Sequence, residues 1–380
     1  MFFEKVIGQE HIKNHLITSV ENGRIPHAQL FVGDEGTGAL PMAIAYAQYI
    51  LHYYSNDKEA TAAKCQKLQH PDLHFAFPVT STDSVKKHPV SNLFLEEWRT
   101  FVQEQHYGSL FNWLKHIGVD NKQGIIGVDE AEDIVKKLLL KSYEGGSKIM
   151  ILWMVEKMNI AAANKLLKLI EEPPEKTIFL LVTENEEQLL DTIKSRCQVF
   201  HFPKLAEEDI ANQLIKQLQI EANEAKFYAH QSDGNFNKAL HLALHDSKDS
   251  DFEEWFVYWV RTAFRAKGNP AVVQDLVTWS ETIAKSGRET QKQFLLYCIQ
   301  FFRQALLQNY TAEDLVFLST SNNFDVKKFA PYVNSANIVE IFKELDTAIY
   351  HIERNGNAKV ILLDLTLKLT RFLHRKETAI

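Results

Sequence analysis

His27-Ala28-Gln29-Leu30-Phe31-Val32-Gly33-Asp34-Glu35-Gly36-Thr37-Gly38-Ala39-Leu40 is the stretch on which the fold turns. The apolar run Leu30 to Val32 reads as a short strand that ends in glycines. It gives way to Leu40, Ala43, Ile44, Ala47, Ile50 and Leu51 at helical spacing. Strand, glycine loop and helix form the context of a phosphate-binding loop, whose backbone N–H groups and helix N-terminus cradle an anion. The spacing of Gly33, Gly36 and Gly38 fits such a loop. The next two positions, where lysine and a hydroxyl residue belong, hold Ala39 and Leu40. Without the lysine nothing neutralises the β- and γ-phosphates, and without the hydroxyl a Mg²⁺ ligand is missing. Asp34 and Glu35 add negative charge where phosphates would sit. The loop has the shape of a phosphate site without its chemistry, and an ordinary glycine-rich turn is the competing reading.

Outward from the loop, strand-like and helix-like segments alternate. Leu73 to Val79 alternates and ends near a proline. Val128 to Ser142 reads as an amphipathic helix with Ala131, Ile134, Val135 and Leu138 on one face, Asp129 as cap, and Gly145-Gly146 beyond its end. Ile149 to Trp153, Thr177 to Thr183 and Gln198 to Phe202 read as buried strands; Ile160 to Glu172 is a helix stopped by Pro173-Pro174. Apolar strands alternating with helices imply a parallel sheet covered on both faces. After Pro203 the character changes: Ala206 to His245 holds three short helical patterns, and from Phe252 onward the chain reads as wholly helical. The expected class is α/β plus all-α, with an α/β domain over 1–204, a small helical domain over 205–248 and a larger helical domain over 249–380. Thr80 to Gly124 is the least regular part and reads as an insertion.

The bulk properties agree with this plan. A chain of 380 residues spans two or three domains of ordinary size, and 45% apolar with 24% charged residues suits a packed globular protein. A net charge of -7 argues against wholesale electrostatic capture of nucleic acid, while leaving room for a local basic patch. Three cysteines, Cys65, Cys197 and Cys298, lie far apart and suit a reducing compartment better than a disulfide framework. The start, Met1 to His11, lacks the pattern of a signal peptide, and no apolar run approaches the length of a membrane span. The expectation is a cytoplasmic protein with no membrane contact.

A working nucleotide hydrolase ends the strand before its catalytic helix in acidic residues that hold Mg²⁺ and orient water. Here that strand ends in Trp153-Met154, expected in the core or at an interface, and Glu156 follows in the next loop.

Ile7-Gly8-Gln9-Glu10, Asn22-Gly23-Arg24-Ile25-Pro26-His27-Ala28, the glycine loop, His70-Pro71-Asp72, Asn164 to Pro174 (NKLLKLIEEPP), Ser195-Arg196-Cys197 and Asn355 to Leu369 follow one another in a recognisable order. In this the chain resembles bacterial clamp-loader subunits of the AAA+ superfamily, above all the delta-prime type of DNA polymerase III. The NKLLKLIEEPP and SRC pair is the most specific part of the match.

The resemblance implies an AAA+ P-loop-type parallel sheet, a helical lid and a helical collar. It implies a hetero-pentamer with gamma/tau-type and delta-type subunits that acts on a sliding clamp and primer-template DNA. It makes Arg196 an arginine finger that serves a neighbouring subunit's ATP site, a task for which a planar, permanently charged fork suits phosphate better than lysine. A surface arginine capping the short helix before it is the plain alternative. Thr183 matches the position that senses the γ-phosphate in active relatives, read here as a strand-end hydroxyl. Asn237 stands where active subunits carry a second-sensor arginine. With Ala39, Leu40, Trp153 and Asn237 all altered, the chain reads as a non-hydrolysing subunit that needs no nucleotide cofactor.

Many relatives carry a four-cysteine zinc module before His70-Pro71-Asp72. This chain keeps Cys65, and Cys65, His70, Asp72 and His74 lack paired spacing, so no metal is expected. Cys197 reads as a small buried hydrophobe. Lys136, Lys137, Lys141 and Lys148 read as solvated helix faces, some of them candidates to face DNA. Phe301, Phe302, Leu306, Leu307 and Phe342 read chiefly as core of the collar. Two other readings stay open: an active motor ATPase of the same assembly, and an adaptor that uses a dead AAA+ fold outside replication.

Overall fold

The computed structural model describes residues 2–119, 122–143, 146–244, 247–310 and 324–375. They form two compact units, one of residues 1–119 and 123–244 and the other of 120–122 and 245–380.

In the first unit, α1 (Glu10–Glu21) leads to β1 (Ala28–Val32), and the glycine loop leads to α2 (Ala39–Tyr54). There follow α3 (Lys58–Gln66), β2 (Leu73–Ala76), α4 (Leu95–Glu104), α5 (Leu110–His116), α6 (Val128–Leu139) and β3 (Lys148–Trp153). Next come α7 (Ile160–Glu171), β4 (Thr177–Thr183), α8 (Asp191–Lys194) and β5 (Gln198–His201). Three helices, α9 (Glu207–Leu218), α10 (Ala222–Gln231) and α11 (Phe236–Ala243), complete the unit. The strands pair in parallel in the order β2-β3-β4-β1-β5.

Alternate side chains of each inner strand point to opposite faces. Ile149, Ile151 and Trp153 of β3 join Ile178, Leu180 and Val182 of β4 in one core with α1, α2, α4 and α5. Met150, Leu152, Phe179 and Leu181 face α6 and α7 in the other. Two covered faces explain why β3 and β4 are buried at every position, as their unbroken apolar runs predict.

Four expectations are corrected. β2 stops at Ala76, and Val79 bridges antiparallel to Ile125, because the chain turns away toward Ser91. β5 is no buried strand: it lies at the sheet edge with β1 as its one partner among the described strands, and Gln198, Val199 and His201 are exposed. Residues 80–124 carry α4 and α5, whose Trp98, Phe101 and Trp113 are fully buried; the aromatic content of this irregular stretch builds the core beneath the end of β3. Lys148 is no solvated helix residue. It opens β3, is 5% exposed, and its ammonium donates to the carbonyls of Leu140 (2.7 Å) and Leu138, closing the C-terminus of α6.

The motif Asn22-Gly23-Arg24 has a structural task. Gly23, at φ 65°, donates to Val20 and Arg24 donates to Ser19, the paired bonds that end a helix on a left-handed glycine.

The second unit is helical throughout its described residues: α12 (Ser247–Ala266), α13 (Pro270–Ala284), α14 (Arg288–Asn309), α15 (Val326–Phe329), α16 (Ile338–Glu353) and α17 (Ala358–Phe372). Its core includes Phe256, Trp259, Phe294, Phe301 and Phe302; Leu306 and Phe342 pack partly buried against it, while Leu307 is not one of its members. No described helix is long and apolar enough to cross a membrane.

Candidate functional site

Gly33, Gly36, Gly38, Ala39, Leu40 and Trp153 line one cleft, together with Asp34, Glu35, His106, Tyr107 and Glu184. Gly36 and Gly38 take left-handed φ values of 75° and 99°, which bend the loop into the first turn of α2. Gln9 braces the loop from outside, its amide donating to the carbonyls of Thr37 (3.1 Å) and Pro203 (2.7 Å). Ala39 and Leu40 are buried against the sheet, so their side chains belong to the core.

Of the three helices after β5, α11 closes over this loop with its N-terminus. Phe236 donates its backbone N–H to the Gly36 carbonyl at 3.1 Å. A Cβ on Gly36 would lie 1.9 Å from Asn235 Oδ1, so glycine is required there by close approach as well as by backbone angle. Asn237 Nδ2 donates to Glu35 Oε1 (2.9 Å) and to Asn112 Oδ1 (3.0 Å), joining α11, the glycine loop and α5. Tyr107 completes the cover. Its ring contacts Phe236 (centroids 5.0 Å apart) and lies beside Gly38, while its hydroxyl accepts from Ile7 N at 2.7 Å. The space left in the cleft is about 30 Å³, enough for one or two waters. Its walls carry the carboxylates of Asp34, Glu35 and Glu184. The imidazole of His106 is held neutral there by burial, its pKa pushed down to about 4. No lysine or arginine is among the lining residues.

Trp153 is 3% exposed and packs against Trp98 and Phe101, with ring centroids 5.2 and 6.1 Å away. The position where a metal-holding carboxylate is expected is thus filled by an indole set in an aromatic core.

Thr183 ends β4, and its hydroxyl's partner is a residue that sequence reasoning left in a loop. Thr183 Oγ1 donates to Glu156 Oε2 at 2.7 Å, and the backbone N–H of Glu184 donates to Oε1 at 3.2 Å. Glu156 lies deep in the protein with an edge still reaching solvent; desolvation raises its pKa, and the Thr183 bond opposes the rise. Only the pairing of β3 with β4 brings these residues together, so sequence spacing alone gave no signal.

Arg196 does not line the cleft. It follows α8 on a turn in which Ser195 is exposed and Arg196 and Cys197 are half-buried. Its Nη2 lies 3.0 Å from Glu171 Oε2, and its Nη1 donates to the Thr192 carbonyl at 2.9 Å. About a third of the side chain (32%) stays exposed. Cys197 packs partly buried against the second core of the sheet, and burial pushes its thiol up to about 11.

No cluster of three or more His, Cys, Asp and Glu side chains suited to a metal occurs among the described residues. Cys65 is buried, and Asp72 accepts from the backbone of Tyr143 at 2.8 Å while its own N–H meets His70 Nδ1, making His70-Pro71-Asp72 a turn that starts β2. At α6 the N-cap is Gly127, with no side-chain cap; Asp129 lies in the first turn, paired with His88 at 2.8 Å. Lys137 pairs with Asp133 at 2.7 Å, while Lys136 and Lys141 are exposed.

Residues 8–206, half of the chain, match the family model described as "DNA polymerase III, delta subunit". Among curated relatives, the chain is 29% identical to the tau subunit of DNA polymerase III from Bacillus subtilis over 63% of this chain and 37% of that one. It is 28% identical to the delta-prime subunit from the same organism over 63% of this chain and 60% of that protein. The matches therefore span three-fifths or less of those relatives' length. A DNA polymerase III gamma-subunit-related structure from Thermotoga maritima, 16% identical, superposes over 95% of this chain and 99% of that one with a TM-score of 0.41, too distant to carry an argument. On the family match and the motifs together, this chain belongs to the DNA polymerase III delta-subunit family of clamp-loader proteins, with the parallel sheet of an AAA+ domain followed by helices.

Proposed function

We propose that the chain is a non-hydrolysing, delta-prime-like clamp-loader subunit that donates Arg196 to the ATP site of a neighbour. The observation that carries this reading is the glycine loop itself. It lacks a cation and a metal-binding hydroxyl, and its Glu35 is bonded to Asn237, the residue in the second-sensor position. A triphosphate placed there would meet carboxylates instead of counter-charge, in a space suited to water. Trp153 offers no ligand for Mg²⁺. The tasks left to such a subunit are to hold its place in a hetero-pentamer and to supply a finger.

In this reading residues 1–204 are the AAA+ domain, 205–248 the lid and 249–380 the collar. The partners are gamma/tau-type and delta-type subunits, and through them the sliding clamp and primer-template DNA, in the cytoplasm. Reconstitution tests it. Purified gamma/tau-type and delta-type subunits should form a stable complex with this chain, and clamp loading should depend on its presence. A complex that assembles and loads equally well without it would refute the proposal.

A further inference from the structure

Resting on the reading of Arg196 as a finger, we infer that Glu171 is the residue that positions it. An arginine at the end of a flexible stem reaches a phosphate effectively only if its fork is already aimed, because each rotamer frozen at the moment of reaction costs entropy. Here the fork is held by three contacts. Nη1 donates to the Thr192 carbonyl at 2.9 Å and, more weakly, to Ser195 Oγ at 3.4 Å, and Glu171 takes Nη2 through Oε2 at 3.0 Å. Nε is buried, without a hydrogen-bond partner among the described residues, so the stem is packed while the fork reaches the surface. A guanidinium has five N–H donors, and these contacts leave the second N–H of Nη2 for an incoming oxyanion.

The support is rigid. Glu171 is the last residue of α7, whose Ala162, Ala163, Leu166 and Ile170 are buried under the sheet. Pro173-Pro174 then fixes where the helix ends. The pair thus joins NKLLKLIEEPP to SRC, two motifs otherwise separate in the chain. Glu171 is half exposed, at 53%, so solvent screens its charge, and its approach to a phosphate carries little penalty. As a contribution to stability such an exposed pair is worth little; its value lies in aim.

The test uses the reconstituted complex with the other ATPase subunits' sites silenced, so that only the site beside this chain turns over. Glu171→Ala should assemble normally and lower kcat there about tenfold, the low end of the range for partners that orient a reacting group. Glu171→Gln, which keeps an acceptor without the charge, should lose less. In an Arg196→Ala background, Glu171→Ala should cost nothing further, since two residues acting through one group are non-additive. Wild-type turnover in Glu171→Ala, or the same tenfold loss with and without Arg196, overturns the role of Glu171. If Arg196→Ala is itself silent, the finger falls and Glu171 with it; if Arg196→Ala is costly and Glu171→Ala is not, only the positioning role falls.

Discussion

Asn237 Nδ2 donates to Glu35 Oε1 across 2.9 Å, tying α11 to the glycine loop whose backbone it covers. The amide also reaches Asn112 Oδ1 at 3.0 Å, and Asn112 is in turn fixed by the N–H and hydroxyl of Ser109. Removing Glu35 leaves a buried amide with one partner where it had two. Glu35→Ala should therefore destabilise by about 1.5–3 kcal/mol, the range for losing a hydrogen bond to a charged group. Thermal unfolding reads this, and an unchanged Tm would mean that the contact contributes nothing.

The covered loop also predicts no useful affinity for ATP–Mg²⁺. Titration calorimetry of the isolated chain with a nonhydrolysable analogue should give no heat of binding at micromolar ligand. A micromolar Kd would contradict this reading of the loop.

Much of this site was legible before the fold was known. The losses at Ala39 and Leu40 are read from glycine spacing, and the apolar runs of β3 and β4 announced a covered parallel sheet. What escaped reading depended on tertiary contacts between distant segments. Glu156 meets Thr183 only because β3 lies beside β4, and Glu35 meets Asn237 only because α11 folds back over the loop. Lys148 looked solvated because a lysine among lysines gives no sign that its ammonium will close α6. β5 looked buried because Val199, Phe200 and Phe202 are apolar, although an edge strand has one neighbour and one covered side. The aromatic residues of 80–124 carried the clearest overlooked signal, since Trp98, Phe101 and Trp113 in so irregular a stretch demand a core to occupy.

Trp153→Asp should destabilise by about 3 kcal/mol or more and restore no hydrolysis. The indole is packed against Trp98 and Phe101, so the change opens a cavity and places a charge in it. Thermal unfolding and an ATPase assay check both halves; an unchanged Tm would contradict the packing.

Glu130 makes stability depend on pH. It is fully buried on α6, accepts from Ser91 N at 2.5 Å, and burial raises its pKa from 4.5 to about 7. Between those values the unfolded chain gives up the proton that the folded chain retains, so its contribution is full below pH 4.5 and is lost as pH rises to about 7. Glu130→Gln cannot ionise and should remove this slope, leaving the variant about 3 kcal/mol more stable than the parent at pH 8 and no more stable at pH 4.5. Denaturant melts across that range decide it, and parallel pH profiles for the two proteins would contradict the assignment.

Whether Arg196 acts outside its own chain is decided by hydrolysis in the assembled complex. Arg196→Ala should fold and assemble, since a partly exposed arginine contributes little to stability. Arginine fingers are worth roughly 10³ to 10⁵ in rate at the site they serve. Clamp- and DNA-stimulated turnover should therefore fall in part, as the other sites keep their own fingers, and clamp loading should fall further. Arg196→Lys should behave nearly as alanine does, because lysine lacks the planar fork. Wild-type hydrolysis and wild-type loading by the Arg196→Ala complex would contradict the claim and return Arg196 to the role of a surface residue paired with Glu171.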